Sequence, residues 1–288
     1  MRELVTVTKT SSELMQLVEQ IRRDPEAFDR EPFQILDNIF YVGNSWVGAY
    51  LIDTGDGLLL IDSNFSEVMP ILLRNIKKVG FSVQDIRWLL LSHGHFDHIG
   101  GAAEIQRRSN CEIWFSPDEL FMLKERRDLI GDTVEPFQID HLYEYGKAFC
   151  CGNIRITPVL TPGHTLGCTS LMLQVPFQGC LVNVGVHGGL GLNGLTQAEL
   201  QAKKLPLDMP IRYLRSLEEL KKRAVQVFLP LHNAYYDIFS LAEKDDGPHT
   251  VFIQPNDWKT IMQLRIAAVK ELMDREQIDY KCKGDEKK

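Results

Sequence analysis

Leu89-Leu90-Leu91-Ser92-His93-Gly94-His95-Phe96-Asp97-His98 is the stretch that decides how this chain is read. It opens inside the apolar run Ile86-Arg87-Trp88-Leu89-Leu90-Leu91, whose near-continuous hydrophobicity predicts a strand covered on both faces. Three histidines and one aspartate follow at once, where the strand gives way to a turn. Alternate residues of an extended segment project the same way, so His93 and His95 can grip one ion. Asp97 and His98 begin a turn into a helix and point elsewhere, toward a second ion. Imidazole and carboxylate are the ligands that a borderline-soft cation such as zinc accepts. An ordinary surface loop has no reason to hold these residues in this order.

Working toward the N-terminus, Ile39–Val42, Val47–Ile52 and Leu58–Ile61 are short apolar runs separated by Gly, Asn and Asp. Asp53-Thr54-Gly55-Asp56-Gly57 between the last two predicts a hairpin turn. Residues 66–79 predict a helix with Val68, Ile71, Leu72 and Ile76 on one side, stopped by Gly80. Residues 1–32 read as a helical extension, with Ser12 as cap and Leu14, Leu17, Val18 and Ile21 on one face.

Toward the C-terminus the spacing predicts helices at Ala102–Arg108 and Asp118–Glu125 around a strand at Cys111–Phe115. Further strands are expected at Ile154–Leu160, Thr169–Val175, Gly179–Val186 and Val225–Leu229. Helices are expected at Met209–Ala224, Ala234–Glu243 and Asp257–Arg275, and a polar tail at Lys281–Lys288. Hairpins, strands and helices in this mixture imply an α/β fold of two stacked sheets with helices outside, spanning 33–280 as one domain.

Two single histidines join the first cluster. His164 follows the predicted strand in Leu160-Thr161-Pro162-Gly163-His164-Thr165, and His232 follows another in Phe228-Leu229-Pro230-Leu231-His232-Asn233. Both fall at strand ends, where such folds build sites. His187, in a Gly-rich loop, is a candidate for touching substrate. His141 and His249 read as exposed or structural, and Tyr235 and Tyr236 as packing aromatics that could also line a pocket. The segments Phe115–Thr133, His187–Met209 and Tyr235–Gly247 are expected to shape that pocket.

Bulk properties exclude several classes. Of 288 residues, 44% are hydrophobic and 25% charged, ordinary for a globular protein able to bury a core without staples. Net charge is −7 and cations cluster only in short runs such as Lys221-Lys222-Arg223, which argues against nucleic acid as a partner. No stretch approaches a membrane span, and the first residues lack the pattern of a signal peptide, so the expected location is cytoplasmic. The six cysteines form no CxxC pair and read as free or buried thiols of a reducing compartment. A small-molecule substrate is the expected partner, and nothing in the sequence sets an oligomeric state.

His93-x-His95-x-Asp97-His98, Thr161-Pro162-Gly163-His164-Thr165-x-Gly167 and the late His232 together resemble the metallo-β-lactamase superfamily, from about Phe33 to Ala268. The resemblance implies a four-layer αβ/βα sandwich. It further implies one zinc held by His93, His95 and His164, and a second held by Asp97, His98 and His232. Asp62 matches a buried aspartate of that family that orients a ligand or turn. Many members carry a Gly-Asp pair whose carboxylate bridges the metals, but Cys180–Gly189 contains no Asp. In that respect the chain is similar to the β-lactamase subclass with an all-His/Asp site and no cysteine ligand, as it is over 42–48, 92–101 and 252–258. It departs from that subclass at 183–186, Asn-Val-Gly-Val, where small hydroxyl residues hold the lactam carboxylate. The implied activity is hydrolysis of a cyclic amide or related carbonyl compound by a zinc-bound hydroxide, with Asp97 as catalytic residue. The alternatives are a lactonase or thioesterase of the same fold, or an iron-dependent oxidoreductase relative.

Overall fold

A computed structural model describes residues 11–125 and 134–279. Seven strands form the first sheet in chain order: β1 (Phe33–Leu36), β2 (Ile39–Tyr41), β3 (Tyr50–Asp53), β4 (Leu58–Ile61), β5 (Ile86–Leu90), β6 (Glu112–Phe115) and β7 (His141–Leu142). The first four make an antiparallel meander, with Asp53 opposite Leu58 across the expected hairpin, and β4 through β7 run parallel. The second sheet has the order β12-β11-β10-β9-β8, from β8 (Phe149–Cys151), β9 (Ile154–Leu160), β10 (Thr169–Phe177), β11 (Cys180–Val186) and β12 (Val227–Leu229). Among the described residues its only parallel pair is β11 with β12.

Two apolar clusters explain the layering. Tyr50, Ile52, Leu59, Ile61 and Leu90 face Ile156, Leu171, Leu173, Val184 and Val186 in the core between the sheets. The alternate residues Leu51, Leu58, Leu60, Leu89 and Ile113 pack instead on α2 (Met69–Lys78) and, after the short α3 (Phe96–Ile99), on α4 (Ala102–Ser109). Both faces of β4 are thus buried, which is why all four of its residues are apolar. After α5 (Pro117–Glu125) and α6 (Gln197–Ala202), α7 (Met209–Leu220) and, beyond the short α8 (Phe239–Ala242), α9 (Asp257–Arg275) cover the second sheet. Trp258 of α9 lies over Gly185 and donates its indole N–H to the Leu220 carbonyl at 2.7 Å, tying α9 to the end of α7. The order of layers is helix, sheet, sheet, helix, as expected from the sequence.

Several boundaries differ. The expected strand Val47–Ile52 begins only at Tyr50, because Val47 forms an isolated bridge with His232 and Gly48 N–H donates to the Leu231 carbonyl. The helix expected at Ala234–Glu243 shrinks to α8, since residues 233–238 make a tight turn with hydrogen bonds from Tyr235 N–H to His232 and from Ile238 N–H to Tyr236. The helix at the start, α1, spans Ser11–Arg23, so Ser12 lies within it and not before it; the side chains of Ser12 and Leu14 are outside the described set. Val18 and Ile21 of α1 pack on Trp46, Val47, Phe65, Val68 and Ile71. The tail Lys281–Lys288, and 126–133 of the expected pocket segment, lie outside the described residues.

What matters for function is that β4, β5, β9, β11 and β12 all run toward one edge. There the sheets are stitched together: Thr169 N–H donates to the Ser92 carbonyl at 2.8 Å, and Asn233 N–H to that of Trp46 at 3.1 Å.

Candidate metal centre

Two adjoining groups of ligand atoms stand at that edge. One is His93, His95 and His164; the other is Asp97, His98 and His232; within each, the ligand atoms lie within 4.8 Å of one another. His95 Nδ1 is 3.0 Å from His164 Nε2, and His98 Nε2 is 3.1 Å from His232 Nε2. Asp97 Oδ2 is 3.5 Å from both His98 Nε2 and His232 Nε2. The groups touch: the rings of His93 and His98 are 4.1 Å apart. All six residues singled out in the sequence are therefore brought together, three per group, in the division that the resemblance implies.

The local sequence explains how. Extended backbone after β5 carries His93 and His95, and the single turn of α3 then swings Asp97 and His98 away. Asp62, immediately after β4, sits in the left-handed region at φ 57°, a conformation Asp tolerates better than most. Its buried carboxylate accepts from Ser92 N–H, Ser92 Oγ–H and His98 Nδ1–H, each at 2.8 Å. Ser92 Oγ, having given its proton to Asp62, can accept one from His93 Nδ1 at 3.1 Å. One carboxylate thereby sets the tautomer of a histidine in each group, leaving both Nε2 atoms as bare lone pairs. Asp62 was legible in the sequence; the relay through Ser92 was not.

Electrostatics separate the two groups. Burial, reinforced by the neighbouring imidazoles, holds His93 well below the ordinary histidine range. Burial likewise lowers His95 to about 3, His164 to about 4 and His232 to about 3. Burial acts on His98 in the same direction, but Asp97 and Asp62 outweigh it and raise its pKa. Asp97 is the converse: burial opposes its charge, and His98 and His232 overcome that to keep it ionised. His93 Nε2 is buried with no protein partner. Unpaired buried nitrogens are costly, and neutral imidazoles converging on a point with a carboxylate nearby fit a divalent cation of zinc's preference.

Around the groups, Trp46 and Tyr235 stand 5.4 Å and 6.2 Å from the His232 ring. A Cβ at Gly189 or Gly191 would come within 2.6 Å and 2.9 Å of the His164 ring, so the 187–209 segment backs that ligand. His187 is buried, accepts from Gly189 N–H at Nδ1, and belongs to neither group. His141 pairs with Glu112, and His249 with Asp245, as structural histidines do. Glu119 escaped the sequence reading: its carboxylate accepts from Gly94 N–H, between His93 and His95, and from Gly167 N–H, beyond His164, at 2.8 Å each. The segment after β11 supplies no carboxylate to either group.

The five described cysteines are free thiols. No described helix is long and apolar enough to cross a membrane.

Comparison with known proteins agrees with this geometry. Residues 47–182 match the family described as the metallo-beta-lactamase superfamily. BJP-1 of Bradyrhizobium japonicum, a subclass B3 metallo-beta-lactamase, superposes with a TM-score of 0.78 at 26% identity, over 87% of this chain and 96% of that one. A probable polyketide biosynthesis zinc-dependent hydrolase, BaeB of Bacillus velezensis, is 33% identical over 84 residues, 29% of this chain and 32% of the relative. The N-acyl homoserine lactonase AttM of Rhizobium radiobacter is 30% identical over 113 residues, 35% of this chain and 41% of the relative. The chain thus spans well under half the length of these two curated relatives. A sandwich of this topology, paired triads at its edge and these matches lead to one conclusion: the chain has the metallo-β-lactamase fold, and its residues 47–182 belong to the metallo-β-lactamase superfamily.

Proposed function

We propose that this chain hydrolyses a cyclic amide or a related carbonyl compound, using two zinc ions, with His93, His95 and His164 as ligands of one and Asp97, His98 and His232 as ligands of the other. The observation that carries the reading is the convergence of six ligand atoms into two adjoining groups, with the buried Nε2 of His93 unpartnered. Nitrogen and carboxylate donors without thiolate suit zinc, and Asp62 supplies the outer hydrogen bonds that zinc histidines need.

Zinc bound there would supply Lewis acidity and make water a nucleophile near neutral pH. The chain's own residues do the rest. Asp97, held ionised, orients the attacking water, while His98 is kept in one tautomer by Asp62. Trp46 and Tyr235 beside His232 form an apolar wall that limits water at the reacting carbon. With one carboxylate among six ligands, most of the charge of two divalent ions goes uncompensated. That favours a substrate whose carbonyl oxygen gathers negative charge as it is attacked. The match to an N-acyl homoserine lactonase supports a cyclic ester as the second substrate class. A small-molecule substrate and a cytoplasmic location complete the proposal.

Hydrolysis of nitrocefin, a homoserine lactone and a thioester, each measured before and after chelation, tests it. Chelator-sensitive turnover of the first or second agrees with the proposal. Turnover of the thioester alone replaces the substrate class, and full activity in metal-stripped protein overturns the mechanism. Iron in place of zinc in unsupplemented protein would favour an oxidoreductase.

A further inference from the structure

Glu119 is a carboxylate with 2% of its surface exposed, and no cation pairs with it among the described residues. Ser116-Pro117-Asp118-Glu119 has the spacing of a helix capping box, and half of it forms: Glu119 N–H donates to Ser116 Oγ at 3.3 Å. The carboxylate does not close the box. Its Oε2 accepts from Gly94 N–H and its Oε1 from Gly167 N–H, both at 2.8 Å. Burial raises its pKa, and the Thr165 hydroxyl, beside His164, together with the two backbone N–H donors draws it part of the way back. Bonds from backbone amides to a buried carboxylate are strong because little else solvates the charge.

The two donors belong to the two loops that build the three-histidine triad. Gly94 separates His93 from His95, and Gly167 lies three residues beyond His164. Neither glycine has a positive φ; both are required by close approach. A Cβ at Gly94 would stand 2.5 Å from Glu119 Oε2, and one at Gly167 would stand 2.3 Å from Ser116 Oγ and 2.7 Å from Glu119 N. The loops come from different sheets, β5 of the first and β9 of the second, so no backbone ladder fixes their separation at this point beyond the single Thr169–Ser92 bond. Among the described residues no buried carboxylate joins the loops of Asp97, His98 and His232 in this way; there Val47, Gly48 and Asn233 bridge the sheets by backbone bonds.

We propose that Glu119 is a positioning residue that clasps the β5 and β9 loops and so holds His93, His95 and His164 at ion-binding separation. The inference rests on the two-ion reading above. Its consequence is selective: loss of the clasp weakens the three-histidine ion and spares the other.

The test is cobalt titration of metal-free full-length protein against a competing chelator, with the visible cobalt spectrum read at each step. His164→Ala supplies the spectrum of the protein without the three-histidine ion. Glu119→Gln keeps the size of the side chain but turns one acceptor into a donor facing a backbone N–H. It is expected to weaken one cobalt by about 10- to 100-fold, as loss of an outer partner of a ligand does, and to move the spectrum toward that of His164→Ala. The other cobalt should be unchanged. Ser116→Ala, which removes the helix cap but leaves the clasp, should bind both ions as the wild type does. If Glu119→Gln does not fold, Glu119→Asp carries the same test, being one methylene too short to span both N–H groups. Wild-type affinities and spectrum in the Glu119 variants would overturn the inference. So would equal weakening of both ions, reproduced by Ser116→Ala, which would mark a merely structural role. A wild type that takes up no cobalt would sink the two-ion reading and this inference with it.

Discussion

The two triads lie side by side, and yet they are held in place by opposite means. His93, His95 and His164 are three imidazoles kept neutral by burial, drawn from loops of two sheets that Glu119 and the Thr169–Ser92 bond hold together. Asp97, His98 and His232 contain a charge of their own, and that charge together with Asp62 raises His98 while the rest fall. The first triad is a nitrogen cage that packing must assemble; the second is partly assembled by its own electrostatics. Asp62 joins them, reaching His98 directly and His93 through Ser92.

Breaking either triad should have the largest effect. His95→Ala strikes the nitrogen cage and Asp97→Ala the charged one. Each is expected to cut kcat/KM by about a thousandfold or more, since Lewis-acid stabilisation contributes several kcal/mol, while circular dichroism stays close to wild type. If one variant kept its activity, that triad would not take part in turnover. Next is Asp62→Asn, which removes the acceptor common to both. Both metal affinities should fall by about 10- to 100-fold, measured by chelator competition; a change in only one would deny the relay through Ser92.

Acid separates the triads by sign. A metal requires unprotonated histidine. Because His98 is raised while His95 and His164 are lowered to about 3 and about 4, protons compete earlier for the mixed triad. On acidification the mixed-triad ion should therefore leave first, followed by native mass spectrometry across pH. The metal-free protein has a related dependence. His95, His164 and His232 are neutral when folded but protonate near 6.5 when unfolded. The unfolded state then binds more protons below that pH, so stability is complete above about pH 6.5 and is lost as pH falls toward 4. A melting temperature flat from pH 7 to pH 4 would contradict the assigned burial. The smallest effect belongs to Ser92→Ala: about tenfold or less in the affinity of the nitrogen cage, with the mixed triad unaffected.

How far the sequence could be read follows the same division. The six candidate ligands were legible because each follows an apolar strand, and strand ends of one direction must meet at one edge. The layers were legible because Leu58–Ile61 is apolar throughout and Ile86–Leu90 nearly so, as a sheet covered on both faces requires. Glu119 was hidden because its spacing from Ser116 spells a helix start, and nothing local says that its carboxylate crosses to Gly94 and Gly167. The short β7 and β8 were missed for a similar reason. Strands of two and three residues have no periodicity to read, and β7 and β8 take their place from pairing with β6 and β9. Val47–Ala49 alternates like a strand but is claimed by the contact with His232, a tertiary partner 185 positions away along the chain.

Native mass spectrometry of unsupplemented protein, alone and as His164→Ala, tests the central claim most directly. Two independent triads predict two zinc ions in the wild type and one in the variant. A single ion in the wild type, or the loss of both in His164→Ala, would contradict it.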